Sequence, residues 1–178
     1  MKKLLLLLCA ALAFAACNND DDEIRFAETN TKIENGSLTG SNMHFFGTAT
    51  ATAANGSVYV DRQAEFEFAG LNDFTLYMHR TRFAAAMPAL EIRLYAQPYI
   101  PGTGDALSFD LERVVPEMRL PNEVGGGYAW KPMEAYTLTG VKGSVDGVTC
   151  RVSFSCDVPG QGGAPMTYEV TYEGKLKE

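Results

Sequence analysis

The chain carries few of the side chains that chemistry uses most. It has two histidines, His44 and His79, and one tryptophan, Trp130. A metal site or an acid–base pair would need both histidines to meet carboxylates in space, and nothing in their spacing demands it. His79 shares the parity of Thr75 and Tyr77, which points it to water, so neither metal nor cofactor is expected. Ser153 and Ser155 sit mid-strand, without the strained elbow that exposes a nucleophilic serine. With no catalytic motif, the expectation is a protein that is not an enzyme. Basic excess is lacking as well: 15 Lys and Arg against 22 Asp and Glu give a formal net charge of −7. Nucleic acid, which needs a basic footprint, is excluded as a partner.

A membrane-spanning apolar run is also missing. The longest such stretch, Leu4 to Ala16, follows Lys2 and Lys3 and has the length of a signal-peptide core rather than of a bilayer span. It ends Phe14-Ala15-Ala16-Cys17, the small residues before cysteine that a lipoprotein signal peptidase requires. Cys17 is the expected lipidation site and the membrane the expected partner there. Phe14 stands where that pattern usually has Leu, and the alternative is ordinary secretory cleavage with Cys17 incidental. The following Asn18-Asn19-Asp20-Asp21-Asp22-Glu23 is acidic and carries no apolar side chain, so it stays solvated. Removing the leader with its two lysines leaves a net charge of −9. The expected organisation is a leader over 1–16, a flexible acidic tether over 17–38 and a β-domain over 39–178.

Cysteine is scarce too. Cys9 leaves with the leader and Cys17 takes lipid, so Cys150 and Cys156 remain. They lie six residues apart in what reads as one strand, about 20 Å at ~3.3 Å per residue. A disulfide tolerates at most ~7 Å between Cα atoms, so both read as buried thiols on one face; a strand break at Ser155 is the alternative.

What the body has is alternation of period two, with almost no helical periodicity. Val58, Val60, Ala64, Phe66 and Phe68 alternate with Tyr59, Asp61, Gln63, Glu65 and Glu67. Phe74, Leu76 and Met78 alternate with Thr75, Tyr77 and His79, and Leu90, Ile92 and Leu94 with Glu91, Arg93 and Tyr95. Leu107, Phe109 and Leu111 continue the pattern, as do Val148 to Cys156 and Met166 to Tyr172. Asn55-Gly56 and Asp146-Gly147 mark hairpins. Pro116 to Pro132, with Gly125-Gly126-Gly127, reads as the longest irregular stretch. Roughly eight antiparallel strands, each with one apolar face, bury that face best by curling into a barrel or sandwich.

The stretches Phe74 to Met78, Met87 to Ile92, Tyr136 to Gly143 and Tyr168 to Gly174 resemble small lipocalin-like, or calycin-like, lipoproteins of Gram-negative gut anaerobes. The resemblance implies an all-β, single antiparallel barrel of the calycin or lipocalin type and an envelope location. The acidic run after Cys17 resembles their surface-export signal. No catalytic residue comes with the family, and the Gly-x-Trp of lipocalins is absent near the first strand.

Arg80 and Arg82 continue the apolar parity of Phe74, Leu76 and Met78. In a regular strand they would point inward at one barrel mouth and hold an anionic group; a bulge before Phe83 would instead turn them to solvent. Tyr128 and Trp130, on the glycine loop, either bound that mouth or fold over it as a plug. The sequence thus points to a lipid-anchored outer-membrane or cell-surface lipoprotein, binding a small amphiphilic or anionic ligand or a surface protein. The alternatives are a structural envelope protein or adhesin subunit with a filled interior and, behind both, a glycan or cell-wall hydrolase.

Overall fold

The computed structural model describes residues 33–39, 42–85, 87–123, 125–159 and 165–177. Cys17, the leader and the acidic run lie outside the described residues. The described residues are all-β: strands Ile33–Glu34 (β1), Ser37–Leu38 (β2), Asn42–Ala53 (β3), Val58–Gly70 (β4), Phe74–Thr81 (β5), Leu90–Gln97 (β6), Ile100–Pro101 (β7), Ala106–Val114 (β8), Glu117–Pro121 (β9), Tyr128–Pro132 (β10), Leu138–Asp146 (β11), Thr149–Pro159 (β12) and Pro165–Leu176 (β13), with one 3₁₀ turn at Glu134–Tyr136.

Eleven strands form one antiparallel sheet in the order β10-β9-β6-β5-β4-β3-β13-β12-β11-β8-β7, and β1 and β2 pair separately. The connections force the sheet to curl. β8 and β9 stand near opposite ends of the strand order, yet only Val115 and Pro116 separate them. A link that short spans roughly 10 Å at ~3.3–3.6 Å per residue. The edges must therefore approach each other, and the sheet forms a curled half-barrel. This differs from the expected eight strands. Glu117–Pro121 and Tyr128–Pro132, expected within an irregular stretch, are the hairpin β9–β10. The domain also starts earlier than residue 39: Ile33 and Leu38, each 2 % exposed, bury the β1–β2 hairpin in the core.

The concave face is packed with side chains. Phe68 touches Phe45, Phe74 and Phe109 at ring-centroid distances of 6.2, 5.3 and 5.8 Å. Phe66 stacks on Tyr172 at 3.8 Å, and the Tyr172 hydroxyl donates to the Phe45 carbonyl at 2.7 Å. The β1–β2 hairpin caps one end, where the Leu38 N–H donates to the Tyr99 hydroxyl and that hydroxyl donates to the Leu71 carbonyl. Phe83, against Phe154 and Tyr168, packs into the core from the β5–β6 connection. Each such side chain taken from water contributes about 1.5–3 kcal/mol.

Bulges decide which residues face in. The register of β3 with β4 shifts between Gly47 and Ala49, so three steps on β4, from Ala64 to Asp61, oppose two on β3. The extra residue flips the first half of β4, and Val58 and Val60, expected inside, are exposed. A second shift lies between Met78 and Thr81, with Arg80 at φ 47°. Thr81 and Phe83 turn inward there while Arg80 and Arg82 are exposed. Of the two readings of the arginines the bulge alternative therefore holds, and the inward one, which would have put them in a ligand site, is corrected.

Strand β12 pairs without interruption with β13 from Thr149 to Pro159, and Cys150 and Cys156 are both free and buried. Burial holds both thiols well above their ordinary range, Cys156 up to about 12, so thiolate chemistry is suppressed. Alkylation of the unfolded chain without reductant should add a label at both positions. A two-dalton deficit on a peptide pair linking them would show that the strand is broken.

Candidate functional site

The convex face of the half-sheet β3-β4-β5-β6-β9-β10 carries a polar and aromatic row set by register. His44 on β3 stands opposite Glu67 on β4, Glu67 opposite Tyr77 on β5, Tyr77 opposite Arg93 on β6, and Arg93 opposite Glu117 on β9. His79 lies opposite Glu65. Each of these residues belongs to the wet parity of its own strand. What the sequence does not reveal is that the strands align them into one patch.

At the β3–β5 end both histidines converge on Glu67. His79 Nε2 is 2.8 Å from Glu67 Oε2 and His44 Nε2 is 3.9 Å from it. The other ring nitrogens are taken: His44 Nδ1 pairs with Glu65 Oε1 and His79 Nδ1 with Glu91 Oε2, each at 2.9 Å. The rings lie 6.4 Å apart and nearly parallel, at 11°. Glu91 is itself held by the Arg80 N–H, which donates to Oε1 at 2.9 Å, so the bulge that expels the arginine also fixes this carboxylate. Glu67 is 1 % exposed, and its Oε1 has no hydrogen-bond partner among the described residues. The expectation that His79 simply faces water is corrected: its side chain is 25 % exposed and bridges two carboxylates.

The electrostatics follow. Burial alone would lower the His79 pKa, but the hydrogen bonds and charges of Glu67 and Glu91 outweigh it and raise the value to about 10. The Glu91 carboxyl is pulled below its usual range: burial opposes this, while His79, the Arg80 N–H and the Arg119 charge favour it. In metal-free protein His79 is an imidazolium at neutral pH. A group raised from ~6.5 to about 10 contributes stability that is fully present below pH ~6.5 and lost as pH rises through about 10. The difference in unfolding free energy between wild type and His79→Gln, measured in chelator, should shrink by on the order of a few kcal/mol between pH 7 and pH 10.5. A pH-independent difference would refute the ion pair.

The β6–β10 end is aromatic. The Arg93 guanidinium lies 4.6 Å from the ring centroids of both Tyr95 and Trp130 and pairs with Glu117 at 2.6 Å. Trp130 meets Tyr77 edge-on at 5.7 Å, and Tyr77 stacks on His79 at 6.1 Å. Arg119 lies 5.0 Å from the Tyr128 ring. Tyr128 and Trp130 are therefore residues of an edge strand on the convex face. They neither plug the barrel nor share a mouth with Arg80 and Arg82 as a cavity site would require.

A separate open trough of about 610 Å³ runs from Thr50 on β3 to Glu173 on β13, Arg151 on β12 and Lys142 on β11. Its charges are largely paired, Arg151 with Glu173 and Lys142 with Asp110. The fold and the site together describe an all-β half-barrel with a filled interior and a structured polar–aromatic outer face. Comparison with protein-family models, curated proteins and solved structures found no match.

Proposed function

We propose that the protein is a lipid-anchored lipoprotein of the outer membrane or cell surface, of calycin-like architecture. In this reading it is a non-enzymatic binding module whose ligand docks on the convex face rather than inside. The observation that carries the binding surface is the row Tyr77, Arg93, Tyr95, Arg119, Tyr128 and Trp130. Aromatic faces flanked by guanidiniums suit a small amphiphilic or anionic ligand, or a surface protein. The packing of Phe45, Phe66, Phe68 and Phe109 supports docking outside, because it leaves little room within. The same packing favours the second reading, a structural envelope protein or adhesin subunit.

The anchor rests on the apolar run that ends Ala15-Ala16-Cys17. Two or three acyl chains hold a protein stably, since each buried CH₂ contributes about 0.8 kcal/mol. In cells fed a fatty-acid analogue, wild type should take up label and partition into detergent, and Cys17→Ser should do neither. Equal labelling of both sinks the anchor. For the ligand, Trp130 is the only indole in the chain, so its emission reports this face cleanly. Fatty acids, bile acids and acidic sugars should be screened by that emission, then repeated on Arg93→Ala. A panel silent in both fluorescence and calorimetry transfers the argument to the structural reading.

A further inference from the structure

We infer that His44, Glu67 and His79 form a binding site for one divalent transition-metal ion, with zinc the best fit to the ligand set. One ring nitrogen of each histidine and a Glu67 carboxylate oxygen lie within 4.8 Å of one another. Tetrahedral zinc bonds N and O at about 2.0–2.1 Å, which sets ligand atoms roughly 3.3 Å apart. The 2.8 and 3.9 Å separations from Glu67 Oε2 bracket that value, so small side-chain rotations suffice. Two imidazoles and a carboxylate suit zinc better than magnesium or calcium, which take oxygen ligands.

Three further features fit a metal better than a surface ion-pair network. First, both histidines give Nδ1 to a carboxylate, Glu65 or Glu91. That contact holds the proton on Nδ1, so Nε2 is the nitrogen that ligates once zinc has displaced the Nε2 proton of His79, and it raises the basicity of the ring. Second, Glu67 is almost completely buried and its Oε1 has no partner among the described residues, a costly state for a carboxylate that a bound cation relieves. Third, Glu65, Glu67 and Glu91 concentrate negative charge, and a dication balances it more fully than one imidazolium. Three protein ligands leave a coordination position for water or a ligand atom. The His44 side chain, 34 % exposed, keeps the site open to solvent.

The inference rests on neither the lipid anchor nor the aromatic binding surface, so Cys17→Ser should bind zinc as wild type does. The full chain, purified in detergent and stripped with chelator, should take up one Zn²⁺ saturably by calorimetry and gain thermal stability. Co²⁺ in place of zinc should give the intense visible bands of a four- or five-coordinate ion. Glu91→Gln keeps a hydrogen-bond acceptor for His79 but loses the charge, and should weaken zinc by about 10- to 100-fold. His44→Gln and His79→Gln should weaken it further and abolish the cobalt bands. Circular dichroism separates loss of ligand from loss of fold, and Glu65→Gln, beside the more exposed His44, repeats the test on the other histidine. Absence of saturable binding overturns the proposal. So does zinc binding that survives in the His44→Gln/His79→Gln double variant, which would assign the metal to the acidic Asp20–Glu23 run.

Discussion

Truncation of Phe68 to alanine should cost about 3–5 kcal/mol, enough to unfold a large fraction of a marginally stable domain. Phe68 is fully buried and lies among Phe45, Phe74 and Phe109, which belong to three different strands. β3 and β5 flank its own strand, but β8 comes from the far half of the sheet. The ring therefore ties the middle of the sheet to β8, which the curl brings across the interior, and no neighbour can collapse into its place without pulling β8 across. Phe68→Leu, which conserves most of the volume, should cost less than about 1.5 kcal/mol. Denaturant unfolding of the three proteins measures both numbers. Equal midpoints for wild type and Phe68→Ala would mean that the interior is loosely filled, and would revive an interior ligand cavity.

The second large effect is expected at a residue without a side chain. Gly47 on β3 adjoins the β4 bulge and stands opposite Ala64 on β4 and Gly174 on β13. A Cβ added there would overlap the Glu173 carbonyl oxygen and the Gly174 Cα. Both obstacles are backbone, so relief requires β13 to move away from β3 and its cross-strand hydrogen bonds to lengthen. Gly47→Ala should lower stability by roughly 2–4 kcal/mol, the range for overpacking and lost pairing. Gly56 supplies the control. It has a positive φ of 82° in the β3–β4 turn with open space around it. Alanine there meets only the left-handed backbone penalty, about 1–2 kcal/mol. If Gly56→Ala proves the more damaging, the close approach of β3 and β13 is wrong.

Individual strands were legible from alternation because a sheet with one buried face imposes period two on each strand separately. Phe74, Leu76 and Met78, Ile92 and Leu94, Leu107 and Phe109, and Val152 and Phe154 all face the core as their parity requires. So do Cys150 and Cys156, which the same parity and spacing left as separate thiols. Strand count and edges were less legible. β9 and β10 are short and flank a glycine-rich turn, so their pattern is weaker than the loop signal between them.

Bulges were the main source of error. Asp61 to Gln63 on β4 and Arg80 on β5 each shift parity by one, and one residue exchanges the two faces of everything beyond it. The sequence pattern at Val58 and Val60 contains no mark of that extra residue, whereas at Arg80 and Arg82 it left a bulge before Phe83 open. The histidine site was missed for a related reason. Both histidines, Glu65, Glu67 and Glu91 stood on the wet parity of neighbouring strands. Whether they met depended on hairpin register, which is a property of pairs of strands and not of any one strand.

The sequence by itself determined the all-β class, the inward thiols and the acidic balance, because each is set by composition or by alternation along one strand. Only the tertiary structure decided that the sheet curls with a filled interior, that Arg80 and Arg82 face solvent, and that His44, Glu67 and His79 converge. Those outcomes follow from bulges, cross-strand register and the short link between β8 and β9, which act between segments distant in the chain.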